Sequence, residues 1–203
     1  MTASIVGWAH TPFGKFDAET VESLVVKVAT DALADAGISA GDVDEIVLGH
    51  FNAGFSPQDF TASLVLQADP KLRFKPATRV ENACATGSAA VHQGIRAIAS
   101  GAARIVLVVG VEQMTRTPSA DIGRYLLKAS YLPEDGDTVG GFAGVFGKIA
   151  QMRSPGATPS CLNCAASDAT CARNSGQPMC CISPPTRSCP SPSRIRSSTT
   201  ATT

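Results

Sequence analysis

Apolar residues along the chain follow two alternating periods. Residues 4–9 form a short apolar run that ends before a proline and a glycine, which predicts a buried strand and a turn. From residue 20 to 36 apolar side chains recur at helical spacing, with charged residues on the other face. Thr20 lies at the cap position of this helix, and Gly37 lies where a left-handed residue ends a helix.

The same pattern continues to residue 110. It predicts further strands at 46–49, 77–81 and 104–110, and helices at 56–68 and 84–100. The strand at 104–110 is apolar on both faces, which predicts a central parallel strand. The order β-α-β-α-β-α-β indicates an α/β fold, a mostly parallel sheet flanked by helices. In such sheets nucleophiles and ligands lie where the carboxyl end of a strand turns into a helix.

Cys84 lies at such a junction, between the strand at 77–81 and the helix that follows. The N–H groups and the positive dipole end of a helix start favour the thiolate, which is the nucleophilic form. The same N–H groups can bind the oxyanion of an attacked carbonyl. The small residues around it leave the sulfur accessible, so this setting suits acyl transfer through a thioester. The alternative is a buried cysteine that acts as a small hydrophobic residue.

Three motifs then resemble one family. Residues 82–87, Asn-Ala-Cys-Ala-Thr-Gly, resemble the nucleophile motif of thiolases. Residues 10–16 resemble the opening of many thiolases, with His10 where the family usually has Arg, and residues 109–115 are similar to the family's Gly-Gly-X-Glu-X-Met-Ser/Thr signature. Together they span nearly all of residues 1–151. The small-residue run after the cysteine is similar to that of sterol-carrier-protein-type thiolases.

The resemblance implies an acyltransferase in which Cys84 forms the thioester and its backbone N–H donates to the oxyanion. Such an enzyme condenses or cleaves 3-ketoacyl-CoA, with acyl-CoA or acetyl-CoA as substrate and no bound cofactor. It also implies a homodimer or homotetramer. Residues 1–115 would form the first core half, and residues 116–151 would begin the loop domain that covers CoA. A ketoacyl-synthase-type condensing enzyme, which shares the fold and the cysteine, is the alternative. The motifs around Cys84 and Glu112 favour thiolase.

Four other polar residues and one glycine-rich segment receive structural interpretations. His10 is expected to be a loop histidine, His50 to have a structural or loop role, and His92 to lie in packing or at the surface. Glu112 is expected to make a structural hydrogen bond near a subunit contact rather than to transfer protons. Residues 140–148 do not form a phosphate-binding loop, because the first glycine and the final Ser or Thr of that motif are missing.

Charge and cysteine usage change after Gln151. Up to that residue 16 acidic side chains face 12 Lys and Arg, whereas five arginines and only Asp168 follow. A mildly acidic body gives no reason to expect a nucleic-acid or membrane partner. Cys84 is the only cysteine of the body, and no long apolar run opens the chain. A cytoplasmic protein is therefore expected.

Residues 152–203 consist mainly of Ser, Pro, Thr, Cys, Arg and Ala, which predicts a disordered tail. The spacing of Cys161 and Cys164 suits zinc, but the adjacent pair Cys180 and Cys181 is a poor second half of such a site, so no metal is expected. The composition resembles a coding sequence that is read out of frame. The second-half thiolase motifs are missing, so we expect a truncated N-terminal half that is inactive alone. The alternative is a non-catalytic fragment that is unstable or only binds thiolase subunits.

Overall fold

The computed structural model describes residues 2–153. The expectation of a disordered tail covers residues 152–203, of which Met152 and Arg153 are described and are helical. The rest of that tail, with the cysteines of the rejected zinc site, lies outside the described residues. The chain divides into two compact units between Ala129 and Ser130. The first unit contains the sheet and every candidate site residue, and the described part of the second contains two helices.

The first helix forms where its sequence predicts it. Helix α1 spans Val21–Ala36, and the Thr20 hydroxyl accepts a hydrogen bond from the Ser23 N–H while the Ser23 side chain accepts one from the Thr20 N–H. Gly37 ends the helix in the left-handed conformation, with φ of 65°. Both predicted caps are confirmed, because capping depends on residues within one turn of each end.

The sheet of the first unit has three parallel strands. These are β1 at Glu45–Gly49, β2 at Ala77–Val80 and β3 at Val106–Gly110, in the order β2-β1-β3. Gly49 pairs with both Val80 and Gly110, so the carboxyl ends of all three strands are level. Helix α2 spans Thr86–Ala99 and α3 spans Ser119–Leu127.

Helical segments cover both faces of this sheet. On one face, α1 and the 3₁₀-helix Thr61–Gln67 enclose the core around β1 and β3. The core on that face is apolar and consists of Val21, Val25, Ala29, Ala40, Val43, Ile46, Leu48, Ala62, Val65, Leu72, Leu107 and Val109. On the other face α2 approaches closely, because Gly94 has no side chain: a Cβ there would lie 2.8 Å from Val108 Cγ2. The predicted α/β class with a parallel sheet flanked by helices is confirmed.

The predicted strand at residues 4–9 is wrong, since these residues are not paired in the sheet. Their backbone is held by α1 instead. The Trp8 N–H donates to Asp35 Oδ2 at 2.9 Å, and a Cβ at Gly7 would lie 2.6 Å from Ala36 Cβ. Ile5 is left 86% exposed. An apolar run shows that a segment suits a strand, but it does not provide the partner strand.

The predicted helix at residues 56–68 is also wrong in its first half. Regular structure begins only at the 3₁₀-helix Thr61–Gln67, and Phe60 before it is left-handed, with φ of 56°. Tertiary contacts explain the difference. The Asn52 side-chain amide donates to the Gln58 carbonyl at 3.3 Å, and Asp59 lies 3.6 Å from the Arg79 guanidinium. These groups are thereby fixed in a turn.

The strand predicted to be central is instead an edge strand of the described sheet. β1 is the central strand, and β3 pairs with β1 on one side only. Leu107 and Val109 of β3 are buried, whereas Val106 and Val108 are half-buried on the α2 face. Apolar side chains on both faces reflect helices above and below the strand. They carry no information about which strands lie beside it.

The second unit is described from Ser130 to Arg153. It holds helix α4 at Leu132–Asp135 and helix α5 at Gly141–Arg153. Lys148, in the glycine-rich segment, donates from Nζ to Thr138 Oγ1 at 2.5 Å. Across the described residues, no helix combines the length and the apolar character that crossing a membrane requires.

Asp44 couples the start of β1 to the start of β3, and this predicts a pH effect. Its carboxylate accepts the N–H groups of Arg104 and Ile105 at 2.8 and 3.0 Å, which holds the pKa of Asp44 below its ordinary value of 3.8. The resulting stabilisation is fully present above that ordinary value and is lost as the pH falls from there through the lower pKa of the folded protein. Asp44→Asn should flatten the acid-side loss of unfolding free energy, measured by urea unfolding at several pH values. Asp42→Asn removes the same charge without these bonds, so an equal effect of both variants would contradict the prediction.

Candidate active site

Cys84 is exposed at the end of the sheet where the strands' carboxyl ends meet. It lies in the 3₁₀-helix Ala83–Ala85, which follows β2 and leads directly into α2. The predicted helix at 84–100 therefore begins as a tighter turn, and the α-helix itself starts at Thr86. The sulfur is presented to solvent from the turn that precedes a helix N-terminus.

The backbone at this turn is strained. Ala83 has φ of 45°, a conformation that costs a residue with a Cβ about 1–2 kcal/mol. The Ala83 N–H donates to the Glu81 carboxylate, and the Ala85 N–H donates to the Asn82 carbonyl at 2.9 Å. Such a conformation persists only where the surrounding contacts enforce it. The contacts around the turn therefore determine where Cys84 lies.

Thr86 supplies the main local contact. Its Oγ1 accepts the Asn82 N–H at 2.9 Å and donates to the Ala83 carbonyl at 2.6 Å. The Thr86 side chain is buried, and both bonds are partly buried. Thr86 thus closes the turn across Cys84. Among the described residues, the Cys84 N–H takes part in none of these hydrogen bonds.

Gly49 provides the surface on which the first turn of α2 rests. A Cβ at this position would lie 3.1 Å from the Thr86 carbonyl oxygen and 3.2 Å from Ala90 Cβ. These distances are tighter than ordinary contacts and involve backbone and a buried helix position. The absence of a side chain at the end of β1 lets α2 approach the sheet closely. This close approach fixes the distance between the sheet and the turn that carries Cys84.

A buried histidine and a partly exposed carboxylate lie beside Gly49. His50 follows β1 and has no exposed surface, and its Nδ1 lies 3.0 Å from Thr61 Oγ1. Its Nε2 lies 3.6 Å from Glu112 Oε1 and has no hydrogen-bond partner in the described structure. Glu112 follows β3, and its Oε2 accepts the Asn52 N–H at 3.1 Å. Two strand ends and a loop therefore converge on one carboxylate.

Arg79 of β2 completes the link across the sheet. Its guanidinium donates to the carbonyl oxygens of His50 and Phe51 at 2.8 and 2.9 Å. The His50 N–H donates to the Val80 carbonyl at 3.3 Å. The segment after β1 is thus tied to β2 by three hydrogen bonds and to the segment after β3 by Glu112.

The structure separates the predicted residues into two groups. Cys84 lies at the strand-to-helix junction. His50 and Glu112 lie close together, although the sequence pattern gave them separate roles. His92 is exposed on α2, and His10 is exposed beside the Trp8 and Phe13 rings, so both lie as expected. No group of three metal-binding side chains occurs within the described range.

Gly49, Thr61 and Arg79 were not singled out from the sequence, and Thr86 entered only as part of the motif at residues 82–87. One signal could have found the pairing of His50 with Glu112. His50 and Glu112 each follow a predicted strand closely, and the carboxyl ends of neighbouring parallel strands meet at one edge. The partners Thr61 and Arg79 depend on tertiary packing that the local pattern does not contain.

Comparison with known proteins adds the family. A family model described as the thiolase N-terminal domain matches residues 3–133. The chain belongs to the thiolase family. Acetyl-CoA acetyltransferase of Methanocaldococcus jannaschii is 42% identical over 113 residues, which are 55% of this chain and 29% of that protein.

Two further matches show how far the similarity extends. β-Ketoacyl-[acyl-carrier-protein] synthase III of Rhodobacter capsulatus is 37% identical over 103 residues, 49% of this thiolase-family chain and 30% of that protein. The Acat5 thiolase of Ascaris suum, solved in complex with coenzyme A, shares the fold with a TM-score of 0.50 and 21% identity, over 56% of this chain and 31% of that one. The chain thus spans about three tenths of the length of the curated relatives it matches.

The close contact between α2 and Gly49 predicts a loss of stability when one methyl group is added at this glycine. Gly49→Ala should reduce the free energy of unfolding by about 1–3 kcal/mol, because Thr86 and Ala90 must move away from the sheet. Urea unfolding measures this loss. Gly123→Ala in α3 is the matched control, since nothing lies within 4 Å of its added Cβ, and it should stabilise by about 0.5–1 kcal/mol. If Gly49→Ala were as stable as the wild type, this would contradict the close packing of Thr86 and Ala90 against Gly49.

The Thr86 hydroxyl predicts a second effect. Thr86→Val keeps the shape of the side chain but removes both hydrogen bonds at the turn, so it should reduce the free energy of unfolding by about 1–2 kcal/mol. Thr86→Ser keeps the hydroxyl and loses one methyl group, and its loss should stay below about 1 kcal/mol. Both values come from urea unfolding. A larger loss in Thr86→Ser than in Thr86→Val would show that packing, and not the hydroxyl, closes the turn.

Proposed function

We propose that this chain accepts an acyl group from acyl-CoA as a thioester on Cys84. The observation that carries the proposal is the exposed sulfur on a strained turn directly before α2, with its own N–H outside the local hydrogen bonds. Membership in the thiolase family and the similarity to proteins named acetyl-CoA acetyltransferase support acetyl-CoA as the donor.

The chemistry follows from the turn. The Cys84 thiolate attacks the carbonyl carbon of the acyl thioester, and the carbonyl oxygen becomes an oxyanion. N–H groups at the turn, the Cys84 N–H first, donate to that oxyanion. The bond between the carbonyl carbon and the CoA sulfur then breaks, the acyl group stays on Cys84, and CoA leaves as a thiolate that takes a proton from water.

A second step completes the proposed activity of a thiolase. The α-carbon of another acyl-CoA loses a proton to a base and attacks the acyl carbon on Cys84. The bond between that carbon and Cys84 Sγ breaks, which gives 3-ketoacyl-CoA and frees the Cys84 thiolate; cleavage is the reverse. The resemblance assigns activation and α-proton transfer to motifs that these 203 residues do not contain. We therefore expect a polypeptide of this sequence alone to accept the acyl group without turnover.

The proposal extends to organisation. Residues 1–115 form the first core half, residues 116–151 begin the domain that covers CoA, and the active assembly is a homodimer or homotetramer. The compartment is the cytoplasm, a reducing environment that would keep Cys84, the single cysteine of residues 1–151, as a thiol.

Matches to β-ketoacyl-[acyl-carrier-protein] synthase III favour a second candidate, a condensing enzyme whose partner substrate is held on acyl carrier protein. Both candidates use Cys84 as acyl acceptor. They differ in what discharges it. Loss of the acetyl group from Cys84 on addition of an acyl group held on acyl carrier protein, but not of acetyl-CoA, would favour the second candidate.

Mass spectrometry after incubation with acetyl-CoA tests the common step. We expect one acetyl group per chain on the peptide that contains Cys84, with release of one equivalent of CoA, because the turn favours attack and binds the oxyanion. The six cysteines after residue 160 act as internal controls for unassisted thiol chemistry. Cys84→Ala should remain unmodified at that peptide.

Two results would overturn the proposal. One is a folded protein in which Cys84 stays unmodified at saturating acetyl-CoA. The other is acetylation of Cys84 no faster than that of the other cysteines, since that would mean the turn contributes nothing. Circular dichroism on the same sample establishes whether the protein is folded.

A further inference from the structure

We infer that His50 and Glu112 are positioning residues for Cys84: together they hold the carboxyl ends of β1 and β3 in the arrangement on which the nucleophile turn rests. The inference rests on the proposed acyl transfer to Cys84. It begins from a buried ring nitrogen, His50 Nε2, which has no hydrogen-bond partner in the described structure and faces Glu112 Oε1 at 3.6 Å.

The His50 ring has a defined surrounding. Thr61 Oγ1 lies 3.0 Å from Nδ1, and the Glu112 carboxylate faces Nε2. A carboxylate only accepts hydrogen bonds, so it favours the tautomer with the proton on Nε2 and the Thr61 hydroxyl donating to Nδ1. Buried polar atoms of this kind are retained in native structures where they have a partner. Glu112 is the charged group that fits this role, and its side chain is 28% exposed.

Glu112 holds more than the ring. Its second oxygen accepts the Asn52 N–H, and Asn52 is left-handed, with φ of 60°. The Asn52 side chain in turn accepts the Ser56 N–H at 2.8 Å. The strained segment after β1 therefore depends on a carboxylate supplied from the segment after β3.

The path from His50 to Cys84 is short, and each step of it is a hydrogen bond or a packing contact in the structure. The His50 N–H donates to the Val80 carbonyl, two residues before Asn82. The preceding residue, Gly49, lies under Thr86, whose hydroxyl closes the turn on both sides of Cys84. A shift of the β1 end therefore moves both the strand that enters the nucleophile turn and the helix that leaves it.

The expected effect is on the rate of acyl transfer rather than on the binding of acyl-CoA. Loss of the pair should lower the maximal rate of Cys84 acetylation about tenfold, since misplacement of a reacting atom by 1 Å can cost on the order of a hundredfold. The acetyl-CoA concentration at half the maximal rate should stay unchanged, because neither side chain is placed against the substrate. Quenched-flow mass spectrometry of the Cys84 peptide separates the two quantities.

Paired variants distinguish positioning from a general loss of structure. His50→Gln places an amide near the position of Nε2, whereas His50→Asn places one near Nδ1. The inference predicts that His50→Gln restores most of the rate lost in His50→Ala and that His50→Asn does not. Glu112→Gln keeps an acceptor for the Asn52 N–H and should likewise exceed Glu112→Ala. The acetylation rate of the double variant His50→Ala, Glu112→Ala should be no lower than that of the slower single variant.

Hydrogen exchange of the peptide around residues 81–87 gives a readout that needs no acyl-CoA. The Asn82 and Ala85 N–H groups should exchange faster in His50→Ala and Glu112→Ala and return toward wild type in His50→Gln and Glu112→Gln. If wild-type Cys84 is not acetylated, the proposed function fails while this readout still decides the inference. Unchanged rates and exchange in the alanine variants, or a loss that the glutamine variants do not restore, would overturn it.

Discussion

The close approach of α2 to the end of β1 is the constraint on which the rest of the site depends. Gly49 has no side chain, so the first turn of the helix lies directly against the strand end. The same strand end is level with the ends of β2 and β3, because Gly49 pairs with both Val80 and Gly110. The strand register thus levels the three carboxyl ends, and the missing side chain of Gly49 lets the helix that follows Cys84 pack against them.

This arrangement explains why a strained turn can persist there. Ala83 is left-handed without being glycine, and its conformation is enforced by the Thr86 hydroxyl on one side and by β2 on the other. The strain is local, whereas the contacts that enforce it extend to His50, Arg79 and Glu112. Strain at a candidate nucleophile is thus maintained by packing and hydrogen bonds from neighbouring strands.

Local features of the sequence predicted the parts of the fold that depend on local physics. Thr20 and Gly37 fix the ends of α1 through contacts within one turn. The apolar run of β1 predicts a buried strand, because its side chains gain stability only when they leave water. Residues 4–9 show what local patterns cannot predict, because their backbone contacts α1 instead of pairing with another strand. Residues 56–59 show it again, since Asn52 and Arg79 hold them in a turn that a good helix-start sequence does not reveal.

The candidate site divides in the same way. Cys84 and its place before a helix follow from the motif and the strand order, and the family model over residues 3–133 agrees with that reading of the motifs. The pairing of His50 with Glu112 could not be predicted from either residue alone. It arises because parallel strands place the residues that follow Gly49 and Gly110 side by side, and because Thr61 closes the space around the ring.

We propose that the turn holds Cys84 so that its backbone N–H binds the oxygen of an incoming acyl group. A crystal structure of the protein after reaction with acetyl-CoA would test this arrangement. We expect an acetyl group on Cys84 Sγ, with its carbonyl oxygen within about 3.2 Å of the Cys84 nitrogen and the Thr86 hydrogen bonds intact. An acetyl oxygen directed into solvent, with no N–H of the turn in reach, would contradict it.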